Sequence, residues 1–98
     1  MDIIKNKDGS ALNVSVIGRL DTSTAPELES SLKESIDGVT ELTMDLAGME
    51  YISSAGLRVL LSMQKTMNAQ GAMKVTGVND TVMEIFEVTG FADILTIE

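Results

Sequence analysis

A chain of 98 residues that is 44% hydrophobic, with one tyrosine, two phenylalanines and no tryptophan, describes one globular domain with an aliphatic, methionine-rich core. It contains no cysteine and no histidine, which excludes disulfide scaffolds, thiol and Ser-His-Asp catalysis, histidine bases, and metals held by either residue. Fifteen acids against seven bases give a net charge of −8, unfavourable for nucleic acid or anionic lipid and suited to solubility and steering toward a basic protein partner.

Residues 1–5 read as a short strand turned by Asn6-Lys7-Asp8-Gly9. This start lacks the apolar core of a signal peptide, and no apolar run approaches membrane-spanning length, so a soluble cytoplasmic domain is expected. Leu12, Val14 and Val16 alternate within residues 11–18, the pattern of a half-buried strand that completes an N-terminal hairpin. Thr24 predicts an N-cap, with Pro26 in the first helical turn and Glu27 favourably placed against the dipole. Leu28, Leu32 and Ile36 then recur every four residues until Gly38. Residues 42–46 form an apolar strand fit for the middle of a sheet. A second helix is predicted from Ser54 to Ala69, with Leu57, Leu60, Leu61 and Gln64 on successive turns and Gly71 as its C-cap. Residues 72–78 suggest another strand. Asn79-Asp80-Thr81 caps a third helix carrying Val82, Ile85 and Phe86, ended by Gly90, and residues 94–97 suggest a last strand. The order β-β-α-β-α-β-α-β over residues 1–98 implies a single α/β domain. Its sheet should be mixed but mostly parallel, with right-handed crossovers and helices packed against it.

In such sheets function gathers beyond the carboxyl ends of strands, which selects the loops at residues 18–24 and 48–55. Ser53 and Ser54 stand where a strand gives way to a helix, among unpaired N–H groups and partial positive charge. A serine there is either a plain N-cap or the seat of a phosphate, and Ser54 suits both roles. Gly56 reads first as a packing residue and second as room for a partner's backbone. Asp21 is either a solvated turn residue or a recognition acid, near Ser54 if the second and third strands are neighbours. Met44, Met49, Met63, Met67, Met73 and Met83 read as core filler, with an adaptable contact surface as the alternative for Met49 and Met63. The serine corner resembles a hydrolase elbow, but Gly-x-Ser-x-Gly is absent and no histidine can act as base. A phosphate-binding Gly-x-x-x-x-Gly-Lys loop is absent too. The chain is therefore expected not to be an enzyme, and to need no cofactor or metal.

The segments Gly18-Arg19-Leu20-Asp21, Thr24-Ala25-Pro26-Glu27-Leu28, Leu42-Thr43-Met44-Asp45-Leu46, Tyr51-Ile52-Ser53-Ser54-Ala55-Gly56-Leu57 and Ile85-Phe86 through Thr89-Gly90-Phe91 together resemble a STAS domain. The small stand-alone type, which acts as an anti-sigma factor antagonist, is the nearest match. Ser-Ser-Ala-Gly-Leu after a hydrophobic strand is the most specific part. The resemblance implies a partner switch. An unmodified antagonist binds an anti-sigma factor that is also a serine kinase, a histidine-kinase-like ATPase, and phosphorylation of one serine releases it. A metal-dependent serine phosphatase then resets the switch. By the same resemblance the acceptor is Ser54, with kinase and partner recognition by Asp21, Thr22, Ser23, Met49, Tyr51, Ser53, Ala55, Gly56, Leu57 and Arg58. Many members carry Asp before the acceptor; Ser53 stands there in this chain, either as a second acceptor or as a neutral replacement. Members commonly extend into a further helix beyond the position of Glu98, and its absence here would expose part of the sheet. A monomer is expected, without nucleic acid or membrane partners. The alternative is a STAS regulatory or scaffold module serving a non-sigma output or a constitutive interaction.

Overall fold

The computed structural model describes residues 1–98, beginning with an antiparallel hairpin. β1 (Asp2–Asp8) and β2 (Ala11–Leu20) pair from Asp2↔Ile17 to Asp8↔Ala11. Both strands outrun the alternating pattern because the turn needs only Gly9 and Ser10, Gly9 taking a φ of 61° in the left-handed region. α1 (Ala25–Ser35) follows, then β3 (Glu41–Asp45), β4 (Met49–Ile52), α2 (Ser54–Gln70), β5 (Ala72–Thr76), α3 (Asp80–Thr89) and a one-turn helix, α4 (Phe91–Ile94). The sheet runs β1-β2-β3-β5, and β4 pairs with the far end of β2. All pairings but the hairpin are parallel. The fold class is thus the mixed, mostly parallel α/β domain that the sequence pattern implies.

Two elements differ from the expected order. β4 was not anticipated: its four residues bury only Met49 and Ile52, too short a signal for any periodicity. The last strand reduces to one bridge, Val75↔Ile97. Phe91 and Ile94 have helical spacing and form α4, so only residues 96–98 reach the β5 edge, where Val75 N–H donates to Thr96 C=O at 2.8 Å and Glu98 N–H to Val75 C=O at 2.9 Å.

The chain crosses from β3 to β4 in three residues. Asp45 Oδ1 accepts from the Ala47 N–H at 3.0 Å, and Gly18 N–H donates to Gly48 C=O at 2.9 Å. A Cβ on Gly48 would lie 2.9 Å from Ile17 Cγ1, so only glycine lets the two strands come this close. The register of β2 shifts between Gly18 and Arg19 to receive β4.

Twenty-three buried hydrophobic residues form one core. Leu12, Val14 and Val16 of β2, Leu42 and Met44 of β3, and Met73 and Val75 of β5 alternate onto one sheet face, where α1 adds Leu28 and Leu32 and α3 adds Val82 and Phe86. Each such aliphatic side chain contributes roughly 1.5–3 kcal/mol when fully buried. The opposite face is polar and uncovered at Asn13, Glu41 and Lys74. A cavity of about 400 Å³ lies over it, at the end of the sheet where β2, β3 and β5 begin. No helix is long and apolar enough to cross a membrane.

Candidate functional site

The start of α2 is built by β4. Leu20 pairs with Ile52, and Ser53 N–H donates to Leu20 C=O at 2.9 Å, tying the end of the β2 strand to the strand–helix corner. The unpredicted strand therefore does what adjacency of the second and third strands was expected to do: it sets the Asp21 loop beside the two serines. Ser53 is extended (φ −95°, ψ 176°); its carbonyl accepts from Leu57 N–H at 2.9 Å and its Oγ from Gly56 N–H at 3.4 Å. Ser53, not Ser54, is thus the N-cap, because it is the last residue with strand dihedrals. Ser54 becomes the first helical residue, and it is exposed.

Three residues expected to recognise a partner are interior. Met49 is 1% exposed because β4 turns it, with Ile52, into the core, and Met63 on α2 is equally buried, so neither forms an adaptable surface. Leu57 packs in the same core. Gly56 is buried, and a Cβ there would stand 2.7 Å from Leu20 Cγ and 2.8 Å from Ile52 Cγ1. Its role is close packing of helix on sheet.

Asp21 organises the other loop. Its Oδ1 accepts from Ser23 N–H at 2.9 Å and from Thr24 N–H at 3.2 Å, while its own N–H donates to Thr24 Oγ1 at 2.9 Å. Thr24 precedes α1, but its hydroxyl donates back to Arg19 C=O at 2.9 Å and caps no helical N–H. No side chain caps α1: the Asp21 carboxylate holds the two amides that precede the helix, and its backbone carbonyl accepts from Ala25 N–H at 2.8 Å. The Thr24 N–H, the largest influence, holds the Asp21 carboxyl below its ordinary 3.8; desolvation, the next largest, opposes it, and the Ser23 N–H, the Thr24 hydroxyl and the Arg19 charge add to the lowering. Thr22 and Ser23 are exposed on this loop. Tyr51 is half-buried under the Arg19 guanidinium, 4.5 Å from its ring centre.

Between α1 and α2 runs an open groove of about 450 Å³. Thr22, Ala25, Pro26 and Glu29 form one wall; Ala55, Arg58, Val59 and Ser62 form the other. Of these, Ala25, Pro26, Glu29, Val59 and Ser62 were not expected as site residues from the sequence. The readable part of the signal is the stripe Ala55-Arg58-Ser62 at helical spacing on α2. The corner thus presents a solvent-facing hydroxyl at the electropositive end of a 17-residue helix, beside a groove with one cation and one carboxylate.

The STAS domain model matches residues 2–98. An anti-sigma-B factor antagonist of Listeria monocytogenes is 31% identical over 98 residues, which span 97% of this chain and 85% of that protein. An anti-sigma factor antagonist from Mycobacterium paratuberculosis superposes with a TM-score of 0.89 at 23% identity, over 98% of this chain and 83% of the other. The Bacillus cell fate determinant SpoIIAA in its phosphorylated form superposes with a TM-score of 0.77 at 14% identity, over 99% of this chain and 91% of the other. At those identities the two structures speak to fold alone, and the sequence match carries the kinship. Similar along almost its entire length in both respects, the chain belongs to the STAS domain family.

Proposed function

We propose that this protein is an anti-sigma factor antagonist that works as a partner switch. The unmodified form binds an anti-sigma factor that is also a serine kinase, and so frees the sigma factor. The kinase transfers the γ-phosphoryl group of ATP to Ser54: the bond from Ser54 Oγ to phosphorus forms, the β–γ phosphoanhydride bond breaks, ADP leaves, and the hydroxyl proton passes to a base of the kinase. A metal-dependent serine phosphatase hydrolyses the ester and restores the binding form. The observation that carries this reading is the exposed Ser54 at the first position of α2, with Ser53 taking over the cap. The name of the Listeria relative supports it, and SpoIIAA, a fold neighbour, is known in a phosphorylated form.

The energetics suit a switch that does not reshape the domain. Phosphorylation adds roughly −1.5 to −2 charges at neutral pH. At a helix start this gains about 0.3–1 kcal/mol from the dipole, so the fold tolerates it. A hundredfold loss of partner affinity needs only about 2.7 kcal/mol. Charge repulsion and desolvation across a docked surface formed by the α2 start, Thr22, Ser23 and the Asp21 loop can supply that.

The test is phosphate transfer from labelled ATP by purified serine kinases of the histidine-kinase-like class from the same organism, mapped by mass spectrometry. Label on the Ser54 peptide, abolished in Ser54→Ala, is expected; label retained in that variant moves the acceptor, with Ser53 the first alternative. Ser54→Asp should weaken partner binding markedly. Unchanged binding would instead indicate a constitutive scaffold module in which the serine pair only starts a helix.

A further inference from the structure

Arg58 stands one helical turn beyond Ser54 and is exposed like it. Side chains four apart on a helix have Cβ atoms about 5–6 Å from each other, well within the reach of a guanidinium. The two ion pairs of the molecule, Lys5–Glu34 and Lys33–Glu29, leave Arg58 without a carboxylate partner in a chain with fifteen acids and seven bases. Glu29, on the opposite wall of the groove, is held by Lys33 at 2.8 Å. Charge at the helix starts points the same way. α1 carries Glu27 and α3 carries Asp80 in the first turn, whereas α2, the longest helix, carries no acid there. No acid of its own first turn offsets the N-terminal dipole, and the first charged side chain of α2 is the cation Arg58.

Resting on the assignment of Ser54 as acceptor, we propose that Arg58 reads the phosphorylation state of this domain. In the unmodified protein its guanidinium lines the groove and is offered to an acidic side chain of the partner. Once Ser54 carries a phosphate, Arg58 turns back one helical turn and pairs with it through two parallel N–H···O bonds, a geometry lysine cannot reproduce. The same movement withdraws the cation from the groove. Release of the partner therefore has two components: a negative group added at the helix start and a positive group removed from the docking wall.

The contact can be tested without any kinase by installing phosphoserine at position 54 during translation and following the phosphoryl resonance by ³¹P NMR against pH. The charged groups near this end are Asp21 of the loop before α1, Glu29 of α1, Glu50 of β4, Arg19 of β2 and Arg58 itself. The acids raise the second phosphate ionisation in all variants alike, so only the difference between variants is read. With Arg58 present, the midpoint should lie at least about 0.3 pH unit below that of the phosphorylated Arg58→Gln protein, as expected for an opposite charge in contact. Arg19→Gln, removing the guanidinium stacked on Tyr51, should leave the midpoint where it is. A smaller difference for Arg58→Gln, or a larger one for Arg19→Gln, overturns the proposal. Because the phosphate is installed directly, such a result tells against Arg58 alone, whereas misplaced kinase label tells against Ser54 alone.

Discussion

The starts of α2 and α3 use the same device with different firmness. At α3, Asn79 Oδ1 accepts from Val82 N–H at 2.9 Å, and its amide also donates to Met49 C=O at 2.7 Å, so the cap is bolted to β4. At α2, Ser53 Oγ reaches Gly56 N–H at 3.4 Å, and no hydrogen bond of that side chain ties it to another element. The α3 start is stitched into the fold by its side chain. The α2 start is positioned by strand pairing and by packing under Gly56, which leaves its outer serine free to face another protein. Support from below and an exposed hydroxyl above are what the proposed modification at Ser54 would require.

The comparison breaks first at Gly56. Gly56→Val should cost about 1–3 kcal/mol, because its side chain would be forced against Leu20 and Ile52, where a Cβ alone would already lie within 2.8 Å of both. A urea midpoint equal to the native one would mean that α2 is not held from beneath. Asn79→Ala comes next. It removes the cap and leaves the Met49 carbonyl without that donor, for about 1–2 kcal/mol. In a domain of this size that lowers Tm by roughly 4–8 °C per kcal/mol. Ser53→Ala should cost only about 0.5 kcal/mol, the low end for a cap. Equal losses in the two cap variants would erase the distinction between a stitched helix start and a free one.

Much of this corner is legible in the sequence because its determinants are local. Two hydroxyls and a helical stripe of leucines place the start of α2 within a residue, and Asn79, Gly71 and Gly90 mark real helix ends. What is not legible depends on distant pairing. β4 exists because β2 is long enough to serve β3 with residues 11–15 and β4 with residues 18–20, a fact no window around Met49 contains. The burial of Met49 follows from that pairing, which decides between the two roles, core filler and contact surface, that its place in the sequence leaves open. Ser54 and Ser53 exchange capping roles for a similar reason: the bond from Ser53 N–H to Leu20 C=O keeps Ser53 extended just past the strand. The groove is hidden because its walls come from helices about 30 residues apart in the chain, 25–29 against 55–62.

The smallest expected effect lies in the loop before α1, which is held by a charged side chain, that of Asp21. Its carboxyl is held below its ordinary 3.8 chiefly by the Thr24 N–H, so the folded state favours the ionised form. The contribution of that charge is therefore present at neutral pH and is lost as pH falls from 3.8 through the lower folded-state value. Asp21→Asn keeps an oxygen acceptor for the Ser23 and Thr24 amides while removing the charge, which isolates the electrostatic part from the hydrogen bonds themselves. Thermal midpoints of the two proteins should differ slightly at neutral pH and converge as pH drops below 3.8. Asp21→Ala, lacking the acceptor, should stay below both at every pH. Parallel curves for native and Asp21→Asn protein would show that the loop is held by geometry alone. Asp21 would then hold its loop by hydrogen bonds alone, as neutral Asn79 holds the α3 start, and Ser53 would remain the more loosely seated of the two side-chain caps.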